Sequence, residues 1–165
     1  MSKKNRPIVA LVYDFDGTLS PGNMQEFGFI QALGKKPQEF WQESDDIAAG
    51  QDASNILSYM KLMFDESRKA GIKLRREDFK KFGEGVELYD GVLEWFSQVN
   101  EYGKKRGVKV EHYINSSGLT SMSEGTPIAK EFKRIFACSF LYNEEGEAVW
   151  PGVAVDYTAK TQFLF

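Results

Sequence analysis

The sequence has few of the features typical of secreted, membrane-spanning and nucleic-acid-binding proteins, namely cysteine pairs, long apolar runs and basic stripes. Cys138 is the single cysteine among 165 residues, so no intramolecular disulfide can form, and we expect a reducing, cytoplasmic compartment. No apolar run approaches the length of a membrane-spanning helix. The formal net charge is −3 and no basic stripe is present, so we expect neither nucleic acid nor an anionic membrane as a partner.

The order of apolar and helical segments predicts an α/β fold. Hydrophobic residues make up 42% of the chain, enough for one sizeable core. The run Ile8–Tyr13 is continuously apolar, as is typical of a strand buried on both faces of a parallel sheet. Residues 23–87 have mostly helical spacing, and 55–71 form the clearest helix, whose methionine and phenylalanine stripe indicates packing.

From residue 88 onward, strands and helices alternate. We predict a helix capped by Asp90, a strand over 108–115 and a tight turn at 116–118. A helix over 126–136, a hairpin over 137–150 and a last helix capped by Thr158 follow. This alternation predicts a Rossmann-like parallel sheet with right-handed crossovers. Residues 21–87 are too long for a loop and are expected to form a subdomain of their own.

Two aspartates stand directly behind the first strand. Asp14 and Asp16 are two residues apart, so an extended chain places both carboxylates on one side, where they repel unless a cation lies between them. Magnesium suits such oxygen ligands. Asp14 can then attack phosphorus to form an aspartyl-phosphate, and Asp16 can transfer the protons. Gly17 lets the chain turn and bring its amides near the phosphate.

Three motifs in order carry a resemblance to a known family. "DFDGTL" after an apolar strand resembles the first signature of the haloacid dehalogenase (HAD) superfamily. "HYINSSG" is similar to the second signature, which implies that the Ser116 hydroxyl holds a phosphate oxygen and that Ser117 and Gly118 offer backbone N–H groups. "DYTAKTQFLF" resembles the third, which implies that Lys160 offsets phosphate charge in the transition state.

The resemblance also implies an architecture and a reaction. Residues 1–20 and 88–165 would form the core, and 21–87 a helical cap of the first cap type; the hairpin is similar to that of the phosphoserine phosphatase branch. The second aspartate favours hydrolysis of a small phosphorylated metabolite with Mg²⁺, with phosphate transfer between sugar positions as the second option. Gln25 and Glu26, which follow soon after the nucleophile, are the candidates for contacting the leaving group.

The sequence departs from the family pattern after Lys160. The family's fourth signature supplies further aspartates to the metal, and no acidic residue follows Asp156. We therefore expect the amino-terminal part of a longer phosphatase, whose metal shell here relies on the Asp14 carboxylate, the Asp16 carbonyl and water. An incomplete core with an open sheet edge, self-association and negligible activity would follow. The alternative is a catalytically incompetent module that binds a ligand or a partner.

Two further residues with reactive side chains are assigned to packing. His112, the single histidine, lies within the predicted strand, and Cys138 has apolar neighbours, so both are expected to be buried and inert. The sequence leaves the substrate open between a phosphorylated amino acid, sugar and nucleotide. Specificity is expected to reside in residues 21–87, which would close over the strand ends and exclude water.

Overall fold

A four-stranded sheet with helices forms the protein, as seen in a computed structural model that describes residues 6–164. The strands are β1 (Ile8–Tyr13), β2 (Lys109–Leu119), β3 (Phe132–Tyr142) and β4 (Ala148–Val153), arranged in the order β1-β2-β3-β4. The first three are parallel, and β4 runs antiparallel to β3 as the predicted hairpin. The predicted α/β class is therefore confirmed.

The helices between β1 and β2 follow the predicted pattern. They are α1 (Phe29–Ala32), α2 (Pro37–Gly50), α3 (Asn55–Lys69), α4 (Arg76–Glu84) and α5 (Val92–Lys105), preceded by a 3₁₀ turn at Met24–Glu26. We call the segment from Met24 to Glu84 the helical insert. A buried carboxylate, Glu66 of α3, holds it together by accepting from Lys35 at 2.7 Å and Lys69 at 2.5 Å.

The first strand has the predicted bounds, but it is not buried on both faces. Ile8, Val9 and Val12 are 58%, 44% and 42% exposed, because within the described residues β1 has β2 as its single neighbour and stands at the sheet edge. The predicted open edge and exposed apolar face are therefore present in this part of the chain. Self-association through that edge stays a prediction.

Two elements after β2 differ from the prediction. The segment Ser116–Gly118 is not a tight turn, because β2 continues to Leu119, which pairs with Cys138 of β3. The helix predicted over 126–136 is reduced to a 3₁₀ turn at Ala129–Glu131, and a short α6 (Thr120–Ser123) lies before it. Residues from Phe132 onward instead pair in parallel with β2, because sheet pairing overrides the local helical spacing.

Two predicted caps were wrong. Helix α5 begins after Gly91, whose φ of 84° only glycine adopts readily, rather than after Asp90. The last helix is a 3₁₀ helix, Ala159–Phe163, and Thr158 does not cap it with its side chain. Asp156 does so instead, because its Oδ1 accepts from the Ala159 N–H at 2.6 Å and from the Thr158 hydroxyl at 2.7 Å.

The helical insert and the sheet share one hydrophobic core. Phe79 of α4 stacks on Phe140 of β3 with ring centroids 5.6 Å apart, and both are buried. Helix α4 also meets the segment after β2 backbone to backbone. A Cβ at Gly83 would lie 2.0 Å from the Met122 carbonyl oxygen, and one at Gly125 would lie 1.9 Å from that of Lys80. This contact fixes the insert on the sheet.

Substitution of these glycines tests the close approach. Gly83→Ala and Gly125→Ala are each expected to lower the free energy of unfolding by about 1–3 kcal/mol or more, because backbone cannot yield cheaply to the added methyl group. Gly50→Ala is the matched control. Gly50 is the last residue of α2, and an added Cβ there would have no atom within 4 Å. The substitution should therefore leave the free energy of unfolding unchanged or raise it by about 0.5–1 kcal/mol. Urea denaturation measures all three; equal effects would contradict the contact.

A buried carboxylate on β2 links it to β3. Glu111 accepts from Lys109 at 2.7 Å, from Lys133 at 2.7 Å and from the Tyr113 hydroxyl at 2.7 Å. The hydrogen bonds from Lys109, Lys133 and Tyr113, in that order, lower the pKa of Glu111 from 4.5 to about 2. A carboxylate with a depressed pKa stabilises the folded state above the pKa of the unfolded chain.

This shift predicts a pH-dependent contribution to stability. The contribution of Glu111 should be complete above its ordinary pKa of 4.5 and should be lost as the pH falls toward about 2. The stability difference between the natural protein and Glu111→Gln should therefore be largest above pH 5 and should shrink on acidification. Thermal unfolding across this range measures it. A difference independent of pH would contradict the assignment.

Candidate active site

The predicted catalytic residues meet at the carboxyl ends of β1 and β2. Asp14 directly follows β1, and Lys160 reaches it from the last 3₁₀ helix, with Nζ 2.5 Å from Asp14 Oδ2. The other Asp14 oxygen accepts from the Phe15 N–H at 2.8 Å. Lys160 is placed by Asn115 of β2, whose Nδ2 donates to the Lys160 carbonyl at 2.7 Å. Residues distant in sequence thus form one charged cluster.

The two aspartates lie at the start of a tight loop that follows β1. The buried Phe15 turns its carbonyl inward, where it accepts from the N–H groups of Thr18, Leu19 and Ser20 at 3.1, 2.8 and 3.2 Å. Gly17 has a φ of 72°, as the predicted sharp turn requires. Its N–H, however, donates to the Ser20 carbonyl at 2.8 Å. The expectation that this amide faces a phosphate is therefore not met, because the loop uses it internally.

Asp16 lies deeper than Asp14 and is held by the insert. Its Oδ1 accepts from the Met24 N–H at 3.0 Å. The pKa of Asp16 is raised from 3.8 to about 7, mainly by burial and also by the charges of Asp14 and Glu26, against the opposing effects of the Met24 hydrogen bond and Lys160. The two carboxylates thus differ in environment: Asp14 is paired with an ammonium group and open to solvent, and Asp16 is largely enclosed.

The second predicted motif lies on β2 beside these groups. The Ser116 hydroxyl is buried and accepts from the Gly118 N–H at 3.0 Å. Ser117 turns its carbonyl to the Tyr59 hydroxyl, which donates to it at 2.7 Å. A Cβ at Gly118 would lie 2.6 Å from Met24 Cε and 3.1 Å from Asp16 Oδ2. Glycine is therefore required at 118 for the strand to pass against Asp16, although its N–H is engaged by Ser116.

A cavity of about 160 Å³ opens between Asp16 and the helical insert. Gln25 lines it, as predicted for a residue that contacts the leaving group. Glu26 does not line it, but its Oε1 accepts from Asn23 Nδ2 and Trp41 Nε1 at 2.7 Å each and so orients two residues that do. The lining residues are Asp16, Asn23, Gln25, Trp41, Ser44, Asp45, Asn55, Ile56, Tyr59 and Ser117.

Sequence reasoning missed several residues of this site. Asn115 is a polar residue inside an apolar strand, a signal that was available but was not used. Tyr59 lies within the apolar stripe of α3 and was indistinguishable from packing residues by spacing alone. Met24 approaches β2 with its sulfur 3.1 Å from the Leu119 amide nitrogen, a contact across 95 residues that no local pattern indicates.

The donor atoms present suit magnesium. Asp14 and Asp16 offer carboxylate oxygens, and Mg²⁺ is commonly bound by one or two carboxylates together with waters and substrate phosphate oxygens. Over residues 6–164, no group of three or more His, Cys, Asp or Glu side chains is arranged to hold a metal ion. The Asp14 carboxylate and the Asp16 carbonyl thus fit magnesium in chemistry, with most of the coordination shell left to water and substrate.

The two residues expected to be inert are packed away from the cavity. His112 lies between the Tyr13 hydroxyl, 2.8 Å from Nδ1, and Asn100 Oδ1, 3.1 Å from Nε2, and burial lowers its pKa. Cys138 is fully buried, and its sulfur lies 3.3 Å from the Ser117 carbonyl and 3.2 Å from the Val155 amide nitrogen. Burial raises the pKa of the Cys138 thiol.

The enclosed thiol gives a direct test of the packing behind Ser117. Cys138 is expected to resist a thiol-specific disulfide reagent in the native protein, because it is buried and protonated. In denaturant the same single thiol should react promptly and with one equivalent. The time course of absorbance measures both states. Rapid stoichiometric labelling of the native protein would contradict the packing of β2 on β3 at this position.

Comparison with known proteins places the fold. No family model matches the sequence. A curated relative, an uncharacterized protein of Borreliella burgdorferi, is 29% identical over 144 residues, which are 81% of this chain and 50% of the relative. The structure resembles a HAD family hydrolase from Salmonella enterica serovar Typhi with a TM-score of 0.64 and 16% identity, over 97% of this chain and 51% of the other. It also resembles a substrate-bound phosphoserine phosphatase, with a TM-score of 0.61 and 17% identity, over 99% and 70%.

These likenesses confirm the predicted fold class. The chain has the α/β fold of the HAD hydrolases, phosphoserine phosphatases among them. At such identities the similarity shows the fold alone. The chain spans about half the length of the curated relative it matches and of the Salmonella hydrolase. No described helix is long and apolar enough to cross a membrane.

Proposed function

We propose that the protein is a magnesium-dependent phosphatase of a small phosphorylated metabolite, acting in the cytoplasm through a phosphorylated Asp14. The observation that carries this proposal is the close grouping of Asp14, Asp16 and Lys160, with Asp16 also lining a small cavity. A HAD hydrolase fold supports a phosphatase-type reaction. Magnesium, held by the Asp14 carboxylate and the Asp16 carbonyl, would neutralise charge on the phosphate and allow an anionic nucleophile to approach it.

The first chemical step uses the charged cluster. A carboxylate oxygen of Asp14 attacks phosphorus, so a bond from Asp14 to phosphorus forms while the bond from phosphorus to the leaving oxygen breaks. Asp16 gives its proton to that leaving oxygen. Lys160, whose Nζ lies 2.5 Å from Asp14 Oδ2, turns its ammonium group toward the transferring phosphoryl group and stabilises its negative charge. Asn115 keeps the Lys160 backbone in place during this exchange.

The second step releases phosphate. Asp16, now a carboxylate, removes a proton from water, whose oxygen attacks phosphorus and displaces Asp14. The step returns Asp14 as a carboxylate and Asp16 as a carboxylic acid. We propose that residues 21–87, which contain the helical insert, act as a cap. This cap would enclose the attacking water molecule and limit the access of other water molecules. The Ser117 carbonyl, fixed by Tyr59, forms part of the wall on the leaving-group side.

Substitution of the carboxylates tests the assignment. In the full-length protein with magnesium, Asp14→Asn should reduce hydrolysis of an aryl phosphate to background, because the nucleophile is lost. Asp16→Ala should lower the rate by about 10²–10⁴-fold while affecting phosphate binding less. Asp65→Asn, on the exposed face of α3, is the control and should keep normal turnover.

The outcomes separate an enzyme from a binding module. Normal turnover of the Asp14→Asn protein would show that the nucleophile is wrong. Saturable binding of inorganic phosphate with no turnover by the natural full-length protein would favour the alternative, a ligand-binding module on the same fold. Calorimetry with phosphate and magnesium, run beside the aryl-phosphate assay on the same sample, distinguishes the two.

A further inference from the structure

We propose that the cavity beside Asp16 takes a small cationic alcohol as leaving group, so that the substrate is the phosphate monoester of an amino alcohol. This inference rests on the proposed phosphatase function and goes further by naming the class of leaving group. Four properties of the cavity carry it: the signs of its charges, its aromatic walls, a buried acceptor without a partner, and its size.

No positively charged side chain is among the described lining residues of the cavity, and one of its two carboxyl groups, that of Asp16, is protonated in the proposed first step. Asp16 and Asp45 are the ionisable carboxylates among its described lining residues, and no Lys, Arg or His is among them. Glu26, which accepts a hydrogen bond from Trp41 directly behind the wall, adds a third carboxyl group. A leaving group with a carboxylate of its own would meet only like charge and would remain unpaired, which is costly when buried. A leaving group with a positive charge is favoured at the same place.

Two aromatic rings form one wall. Trp41 of α2 and Tyr59 of α3 both line the cavity, with ring centroids 5.9 Å apart in an edge-to-face arrangement. Both polar ends are engaged by the protein itself, Trp41 Nε1 by Glu26 and the Tyr59 hydroxyl by the Ser117 carbonyl. The rings are thereby held as fixed walls rather than used as donors. Aromatic faces next to carboxylates attract ammonium groups, both primary and quaternary.

A buried acceptor in the wall lacks a donor. Gln25 is 1% exposed, lines the cavity, and its Oε1 has no hydrogen-bond partner within the described part of the chain. A buried carbonyl oxygen without a donor costs about 1–3 kcal/mol. An ammonium or hydroxyl group of the ligand would satisfy it. A primary ammonium group can donate to Gln25 Oε1 and also pair with the negative charge of the cavity. A quaternary ammonium group has no N–H to donate, so it can interact only with the negative charge and the aromatic rings.

The size of the cavity limits the leaving group further. Its volume of about 160 Å³ lies below the roughly 300–1,000 Å³ of pockets that enclose drug-sized ligands. The cavity therefore favours a leaving group that is smaller than a drug-sized ligand. Asp16, largely enclosed, marks the inner end, where the leaving oxygen is protonated in the proposed reaction. Asp45 is exposed on α2 and marks the outer rim. A short carbon chain joins a hydroxyl group at one end to a cation at the other.

Kinetics on esters of matched size test the charge preference. With magnesium and the full-length protein, phosphoethanolamine and phosphocholine should be hydrolysed with a kcat/KM at least tenfold above O-phosphoserine and glycerol phosphate. Asp45→Asn should reduce this ratio by about tenfold, and Asp45→Lys should reverse it. Asp46→Asn is the matched control: it is the next residue on α2, bonds to Gln42 at 2.9 Å, does not line the cavity, and should leave the ratio unchanged.

Binding without turnover provides an independent readout. The Asp14→Asn protein with magnesium, titrated calorimetrically, should bind phosphoethanolamine and phosphocholine more tightly than O-phosphoserine, and Asp45→Asn in that background should remove the difference. Tighter binding of the primary amine would place it at Gln25 Oε1. Tighter binding of the quaternary ester would assign the preference to the Trp41 and Tyr59 rings. Both results support a cationic leaving group.

The failure of this inference is distinguishable from failure of the proposed function. If the natural protein does not hydrolyse an aryl phosphate, the phosphatase assignment fails. If it hydrolyses the aryl phosphate but treats O-phosphoserine as well as the cationic esters, the inference is overturned and the phosphatase remains. Equal effects of Asp45→Asn and Asp46→Asn on the ratio would overturn it as well. Both substitutions are at exposed helix positions, so comparison of thermal unfolding identifies any loss of fold.

Discussion

The grouping of three ionisable side chains, those of Asp14, Asp16 and Lys160, at the carboxyl ends of β1 and β2 is the constraint on which the rest of the structure depends. Asp14 and Asp16 share a short loop, so their mutual repulsion must be offset, and Lys160 supplies a positive charge 2.5 Å from Asp14. Two further contacts support this compensation of charge. Asn115 fixes the backbone of Lys160, and the Met24 N–H compensates part of the burial of Asp16. The charge cluster would be repulsive without these contacts.

The helical insert contributes to the site as much as the sheet does. Its first turn supplies the amide that holds Asp16, and its helices supply most of the cavity wall. The insert is fixed by a backbone contact at Gly83 and Gly125 and by the stacking of Phe79 on Phe140. A shift of this contact would move the cavity wall relative to Asp14. Packing and specificity are therefore coupled through one interface.

The features that could be predicted from the sequence are those that depend on local sequence patterns. The bounds of β1, the hairpin and the helices of the insert followed from periodicity and turn composition. The grouping of Lys160 with Asp14 and Asp16 followed from the resemblance to the HAD signatures. Exposure of β1 was missed because a continuous apolar run does not say how many strands flank it. The helix predicted after Thr126 failed because pairing with β2 outweighs spacing that suits either structure. Tyr59 was missed because its role is set by contact with Ser117, 58 residues away.

Direct detection of the covalent intermediate tests the central claim most closely. The full-length protein is mixed with a phosphomonoester and magnesium, quenched in acid within one turnover, and digested for mass spectrometry. The account predicts phosphate on the peptide that contains Asp14, and no phosphate on that peptide in the Asp14→Asn protein. Hydrolysis of the ester with no phosphorylated Asp14, or with phosphate on another residue, would contradict the account.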